Sequence, residues 1–202
     1  HGEQKTLKNI RSALANHIGY VPEDRLTEGL FMERTLTDNI SASILDRKKK
    51  KNGMLDFKGM REEAAQRISE LNINAAGTEV QAGTFSGGNQ QRVVIAKWLA
   101  SRPEILILNG PSVGVDVKSK SEIHRILREL AQKGLAVIMI SDDVGELLST
   151  TNRILVMNSG RMIFEGETAG LTAGILNEKI TQNAGDEESA AAPADRKEVR
   201  QL

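Results

Sequence analysis

Cysteine is absent from the 202-residue chain, which excludes a disulfide framework and a thiolate metal site. That absence fits a cytoplasmic protein. Aromatic residues are scarce, at 3%, with one Trp and one Tyr, so no basic-aromatic stripe is available to stack nucleic-acid bases. A surplus of either charge is also missing. The 27 Lys and Arg match the 27 Asp and Glu, and no global field draws the chain to nucleic acid or to a membrane surface. No apolar run approaches the roughly 18–20 residues that a membrane-spanning helix needs. There is no internal repeat and no secretory signal, and the start, His1-Gly2-Glu3, reads as an internal edge of a longer chain. The three histidines are scattered, and His17 and His124 read as surface or packing residues, so no metal site is expected.

What is present is a periodic α/β chain, of a length that suits one domain with a lobe and a tail. Leu7, Ile10 and Leu14 recur at helical spacing and predict a helix over 5–16. "HIGYVPED" predicts a short strand stopped by Pro22. Residues 24–60 mix turns with a helix after Thr37 and the charged loop "DRKKKKNG". Ala64, Ala65, Ile68 and Leu71 share a helical face, and a second helix is expected from Ser86 to Ala100. "ILIL" (105–108) and "LAVIMI" (135–140) are wholly apolar, as strands buried on both faces would be, and a helix carrying Ile123, Ile126, Leu127 and Leu130 lies between them. "VGELLS" reads as a short helix, and "RILVMN" and "RMIFEG" flank Ser159-Gly160 as a hairpin. Residues 171–183 predict a last helix, and the small, polar segment 185–202 is expected to be disordered. The alternation argues a mainly parallel sheet with helices.

One stretch raises a chemical question. In "TFSGGNQQRVVIAKWLA" (84–100), Ser86, Gly87, Gly88 and Asn89 open directly into a helix. A helix start has unpaired N–H groups and partial positive charge, and two glycines permit close approach, which suits a phosphate. A tight turn with an N-cap serine explains the same residues.

The context separates the two. "FSGGNQQRVVIAKWLASRPEILIL" closely resembles the signature region of ATP-binding cassette (ABC) ATPases. The "GGNQQ" form, with Asn89, resembles the importers of ribose, galactose and similar sugars. "GYVPEDRLTEGLF" (19–31) resembles the Q-loop region of the second cassette in those tandem sugar ATPases. "NGPSVGVDVKSKSEIHRIL" resembles Walker B with the D-loop, and "AVIMISDDVGELLSTTNRILVMNSGRM" resembles the switch strand and those after it. The resemblance covers about residues 5–168 in order. It implies a partial P-loop NTPase-type α/β fold with an inserted helical lobe. The core would comprise 1–22 and 101–168, the Q-loop and helical lobe 23–100, and a C-terminal helix and tail 169–202. It also implies two cassettes facing head to tail. Ser86, Gly87, Gly88 and Asn89 would then hold the γ-phosphate of Mg-ATP bound mainly to the partner, with Glu23 and Asp116 at the Q-loop and D-loop positions.

Several departures from that pattern bear on activity. The Walker A pattern G-x-x-x-x-G-K-[ST] is nowhere in the sequence, and in the family it lies upstream of the helix placed at 5–16. Asn109 and Gly110 stand where the family has Asp-Glu, so the first holds Mg²⁺ less well and the second cannot orient the attacking water. Asp142 replaces the usual switch histidine and puts an anion beside the γ-phosphate. Glu23 takes the Q-loop glutamine position. What remains intact serves a neighbour's site.

The expectation is therefore a hydrolysis-deficient, ATP-binding half of a sugar importer. It would lie peripherally on the cytoplasmic face of the membrane, coupled through residues 23–60 to a permease and indirectly to a sugar-binding protein outside. The alternative is an active ATPase half whose Walker A lies outside this chain. A cassette recruited away from transport is a remoter third reading. The run Arg47–Lys51 reads as a solvated loop or, in the membrane-facing lobe, as a contact with anionic lipid. Trp98 is expected to pack, Arg25 and Glu28 to reach the permease, and Asp142-Asp143 to serve a switch loop or cap. An incomplete sheet predicts an unpaired edge and exposed apolar surface that favour association.

Overall fold

The computed structural model describes residues 4–190. They form two compact units, one ending at Asp142 and the other beginning at Asp143.

In the first unit, α1 (Ile10–Ala15) is shorter than the expected 5–16, because Asn9 caps it in a reciprocal capping box with Ser12 and ends the helix there. Strand β1 (Ile18–Val21) follows and stops before Pro22. A five-residue π-helical turn, Arg25–Gly29, was not legible as a helix; Asp24 caps it through the N–H groups of Leu26 and Thr27. Next come α2 (Leu36–Ser41), capped by Thr35, a 3-10 helix (Ala42–Lys48) and α3 (Phe57–Glu70). Then α4 (Gly87–Ala100), β2 (Ile105–Asn109), α5 (Val117–Gln132) and β3 (Ala136–Ile140) complete the unit.

The three strands form a parallel sheet in the order β1-β2-β3. Their register aligns Val21, Leu108 and Met139, so all three chains leave the sheet at the same edge. The core is one cluster. It joins Val21, Leu106 and Leu108 of the sheet to Val93, Val94, Ile95 and Leu99 of α4, to Leu36 and Ile40 of α2, and to Ile123 and Leu127 of α5. Helix α4 is buried nearly all round, its polar Gln90, Gln91, Arg92 and Lys97 included. Asn39, also fully buried, is satisfied by Phe31 and Thr35: its Oδ1 accepts from the Phe31 N–H, and its amide donates to both carbonyls. This fastens the 30–35 loop to α2.

The sheet departs from expectation in its second face. Strands β2 and β3 are not buried on both sides. Leu106, Leu108, Val137 and Met139 face the core, while Ile105 and Ile107 are half-exposed. On that same face Tyr20, Ile138 and Ile140 are 42%, 49% and 50% exposed. Side chains alternate across a strand, so an apolar run reads as doubly buried only when both faces have covering layers, and here α4 and α5 lie on one.

The basic run is largely tied down. Arg47 donates to the carbonyls of Ala100 and Ser101 and closes the C-terminal end of α4. Lys48 donates to the Gly59 carbonyl, and Lys49 and Lys50 pair with Asp46 and Asp56.

The second unit contains α6 (Val144–Thr150), the antiparallel hairpin β4 (Arg153–Asn158) and β5 (Arg161–Glu167), and α7 (Ala173–Ala190). Ser159 and Gly160 both take positive φ, as a two-residue hairpin turn matched to strand twist requires. Helix α7 runs past the expected end at 183. Of the segment expected to be disordered, residues 185–190 continue α7, since Glu and Ala are good helix formers, and 191–202 lie outside the described residues.

The uncovered sheet face makes a solution prediction. The isolated chain should associate in a concentration-dependent way, and the double substitution Ile138→Lys, Ile140→Lys should shift it toward monomer without lowering its melting temperature. Light scattering after size exclusion reads this, and a wild-type chain that stays monomeric at all concentrations contradicts it.

Candidate functional site

The site residues gather where the parallel strands end. Asn109 closes β2, with Gly110 next; Glu23 lies two residues beyond β1 and Asp142 two beyond β3. The carboxyl ends of parallel strands are where α/β folds bind ligands, because the loops there diverge and leave a crevice. An open cleft of about 580 Å³ occupies this edge, lined by Tyr20, Glu23, Asp24, Arg25, Asn109, Val113 and Gly114 among others. Asp142 is exposed and is not among the lining residues.

Gly110 has a structural reason to be glycine. Its φ is +54°, and a Cβ there would stand 2.9 Å from Val113 Cγ2 and 3.0 Å from Glu23 Cγ. A side chain at 110 is therefore opposed both by the left-handed backbone and by the Glu23 side chain.

The start of α4 is open. Ser86 is the N-cap residue and is exposed, but its hydroxyl makes no capping bond to the helix. Instead Asn89 Nδ2 donates to Ser86 Oγ at 3.4 Å, and Asn89 Oδ1 accepts from the Asn74 N–H at 3.4 Å. The first-turn amides, which no α-helix pairs internally, are left without a side-chain cap.

The two glycines of this turn answer to the protein itself. A Cβ on Gly87 would meet Arg25 Nη2 at 2.8 Å and the Gly114 carbonyl oxygen at 2.9 Å. On Gly88 it would meet Ser119 Oγ at 2.2 Å and Ser119 Cβ at 2.4 Å. The pair was expected to leave room for a ligand; a side chain there would also meet Arg25, Gly114 and Ser119 of the same chain.

Asp116 is the N-cap of α5. It accepts from the Ser119 N–H at 3.0 Å and the Ser119 hydroxyl at 2.7 Å. The hydroxyl bond, then the backbone bond, hold its carboxyl below the ordinary carboxylate range. Asp143 similarly caps α6 through the Glu146 N–H.

Arg25, expected to reach a membrane partner, is half-exposed and is bound to the loop after β2 and to α4. It donates to the carbonyls of Val113 at 2.8 Å and Gly114 at 3.0 Å, and its Nε to Gln90 Oε1 at 3.4 Å. No periodicity could reveal this, because the acceptors are backbone carbonyls 88 and 89 residues away. Farther along α4, buried Lys97 donates to the Gly29 carbonyl, and desolvation lowers its pKa from the ordinary lysine value. Trp98 packs beside Gly19, as expected of a packing residue.

Comparison with known proteins gives the family. The ABC transporter family model matches residues 2–113, just over half of the chain. This chain belongs to the ABC transporter family. It is 42% identical over 187 residues to the ribose import ATP-binding protein RbsA 1 of Rhizobium johnstonii, covering 92% of this chain and 36% of that protein. The corresponding RbsA of Yersinia pestis is 42% identical over 164 residues, covering 81% of this chain and 32% of that one. The chain thus spans about a third of the length of these relatives. Among solved structures, an ABC cassette dimer in a post-hydrolysis state with ADP and phosphate aligns with TM-score 0.66 and 23% identity, over 82% of this chain and 69% of that one. A metal-chelate-type ABC transporter in an inward-facing conformation aligns with TM-score 0.69 and 20% identity, over 82% and 64%. The fold is the P-loop NTPase-like α/β fold of ABC cassettes, with a parallel sheet and helices.

Two predictions come from the glycine contacts and the cap. Gly88→Ala should cost about 1–3 kcal/mol in chemical denaturation by overpacking against Ser119. Adding Ser119→Gly should recover part of that loss in a double-mutant cycle, and strict additivity would rule the contact out. The depressed pKa of Asp116 means its cap contributes fully above about pH 4 and is lost as pH falls through the lowered folded value. Asp116→Asn should flatten the acid limb of a stability–pH curve.

Proposed function

We propose that this chain is part of the ATP-binding subunit of a sugar ABC importer of the ribose type, and that it presents Ser86–Asn89 to ATP held mainly by a partner cassette. The observation that carries this is the uncapped first turn of α4, with Ser86 exposed beside free amides. Amides and a hydroxyl at a helix start suit phosphate oxygens. Mg²⁺ would accompany the nucleotide on the partner's side. Among the described residues no three His, Asp or Glu side chains converge to hold a metal, and Asn109 and Gly110 offer no carboxylate of their own. With Asp142 an anion at the switch position, the chain's own half-site is expected to hydrolyse ATP poorly or not at all.

Coupling to a membrane permease is assigned to residues 23–60. An apolar groove of about 400 Å³ lies in this segment, lined by Phe31, Arg34, Leu45, Leu55, Phe57 and Met60. The relatives' role as import ATP-binding proteins is what supports attachment through a permease at the cytoplasmic face. The relatives' ribose specificity makes a pentose or hexose the expected cargo, recognised by the permease and an external binding protein rather than by this chain.

One observation favours the second reading, an active half. Glu23 Cδ stands 3.4 Å from where a Cβ of residue 110 would be, so a carboxyl group exists beside the place of the missing one.

Calorimetry separates the two. Mg-ATP should not bind the chain alone, and should bind more tightly when the chain is mixed with a Walker A-bearing, hydrolysis-blocked cassette. Ser86→Ala should abolish that gain. Micromolar binding by the chain alone, or turnover by the full-length protein that Glu23→Gln removes, would favour the active half.

A further inference from the structure

We propose that Arg25 is a positioning residue that holds the start of α4, the 112–115 loop and the 25–29 turn as one mechanical unit; this rests on the reading that the α4 start faces nucleotide. The guanidinium reaches three segments at once: the Val113 and Gly114 carbonyls, Gln90 on α4, and its own turn. Gly87 is what lets it in, since Nη2 lies 2.8 Å from the position a Cβ would take there. Gly114, at φ +67°, brings its carbonyl to the same place.

Stabilising α4 does not account for this placement. A cation beside a helix N-terminus opposes the helix dipole, and a helix is better served there by an acidic side chain. The two carbonyls offset that cost and give the cation a different task, which is to join the loop that follows β2 to the turn that follows β1. The far end of the same turn is also fixed to α4. Lys97 donates to the Gly29 carbonyl, and a Cβ on Gly29 would stand 3.1 Å from Val94 Cγ2. The 25–29 turn is therefore anchored at both ends along one stripe of α4, at Gln90, Val94 and Lys97. Its exposed residues Leu26 and Glu28 face outward. A partner that pushes on them moves the α4 start and the 112–115 loop together.

The planar fork of arginine matters, because Nη1, Nη2 and Nε reach the Val113 carbonyl, the Gly114 carbonyl and Gln90 in one fixed geometry, a spread that the compact lysine ammonium does not reproduce. Hydrogen exchange on the wild-type chain, Arg25→Gln and Arg25→Lys tests this. In both variants, amides of 86–90 and 112–116 should exchange about tenfold faster or more, as expected for losing charge-assisted bonds, while β1–β3 keep their protection. Full recovery in Arg25→Lys, or unchanged exchange at 112–116, would overturn the proposal. Should Arg25→Gln fail to fold, Arg25→Lys alone carries the exchange test. The second readout is Mg-ATP affinity in the mixture with a Walker A-bearing cassette. Arg25→Gln should weaken it about tenfold. If Ser86→Ala weakens binding and Arg25→Gln does not, the positioning role fails and the nucleotide-facing reading stands. If Ser86→Ala has no effect, that reading fails, and the exchange data alone decide the mechanical link.

Discussion

The burial of α4 is the constraint on which the rest of the first unit depends. Val93, Val94, Ile95 and Ala96 are four consecutive residues with no exposed surface, so the helix must be surrounded rather than laid on a face. The sheet covers one side, α2 and α3 another, and α5 a third. Arg92 ties the arrangement laterally, donating to the Asn72 carbonyl and pairing with Glu122 on α5. Arg47 closes its C-terminal end. At its first turn Ser86 is exposed and Gly87 and Asn89 are half-exposed, while Gly88 is buried.

The glycines of that turn have a consequence for its chemistry. They let Ser119, Gly114 and Arg25 pack directly against the helix backbone, so the loop after β2 and the α4 start are in contact without intervening side chains. Contacts of this kind transmit displacement, because closely packed atoms cannot absorb it. The turn and the loop thus form a single surface rather than two independent motifs.

Beside the same loop, β1 and β2 carry Glu23 and Asn109 to one open cleft, yet the sheet has a half-bare face. A parallel sheet is ordinarily covered on both sides. The exposed Tyr20, Ile138 and Ile140 mark apolar surface that is open in this chain.

The sequence by itself determined the α/β class, the placing of β1, β2, β3 and the β4–β5 hairpin, the extent of α4, and the family. These are local facts: periodicity, capping residues, turn pairs and motifs contiguous along the chain. It also showed the neutral residues at 109 and 110. It misplaced the end of α7 and the start of α1, where one capping residue or a few helix formers decide the boundary. Tertiary structure alone decided that ILIL is buried on one face, since a strand cannot report whether a layer lies behind it. It alone decided that Gly87 and Gly88 lie against Arg25, Gly114 and Ser119, and that Arg25 bonds to the 113–114 carbonyls. Those contacts join residues 27 to 89 positions apart, through backbone carbonyls and missing side chains that carry no pattern in the sequence.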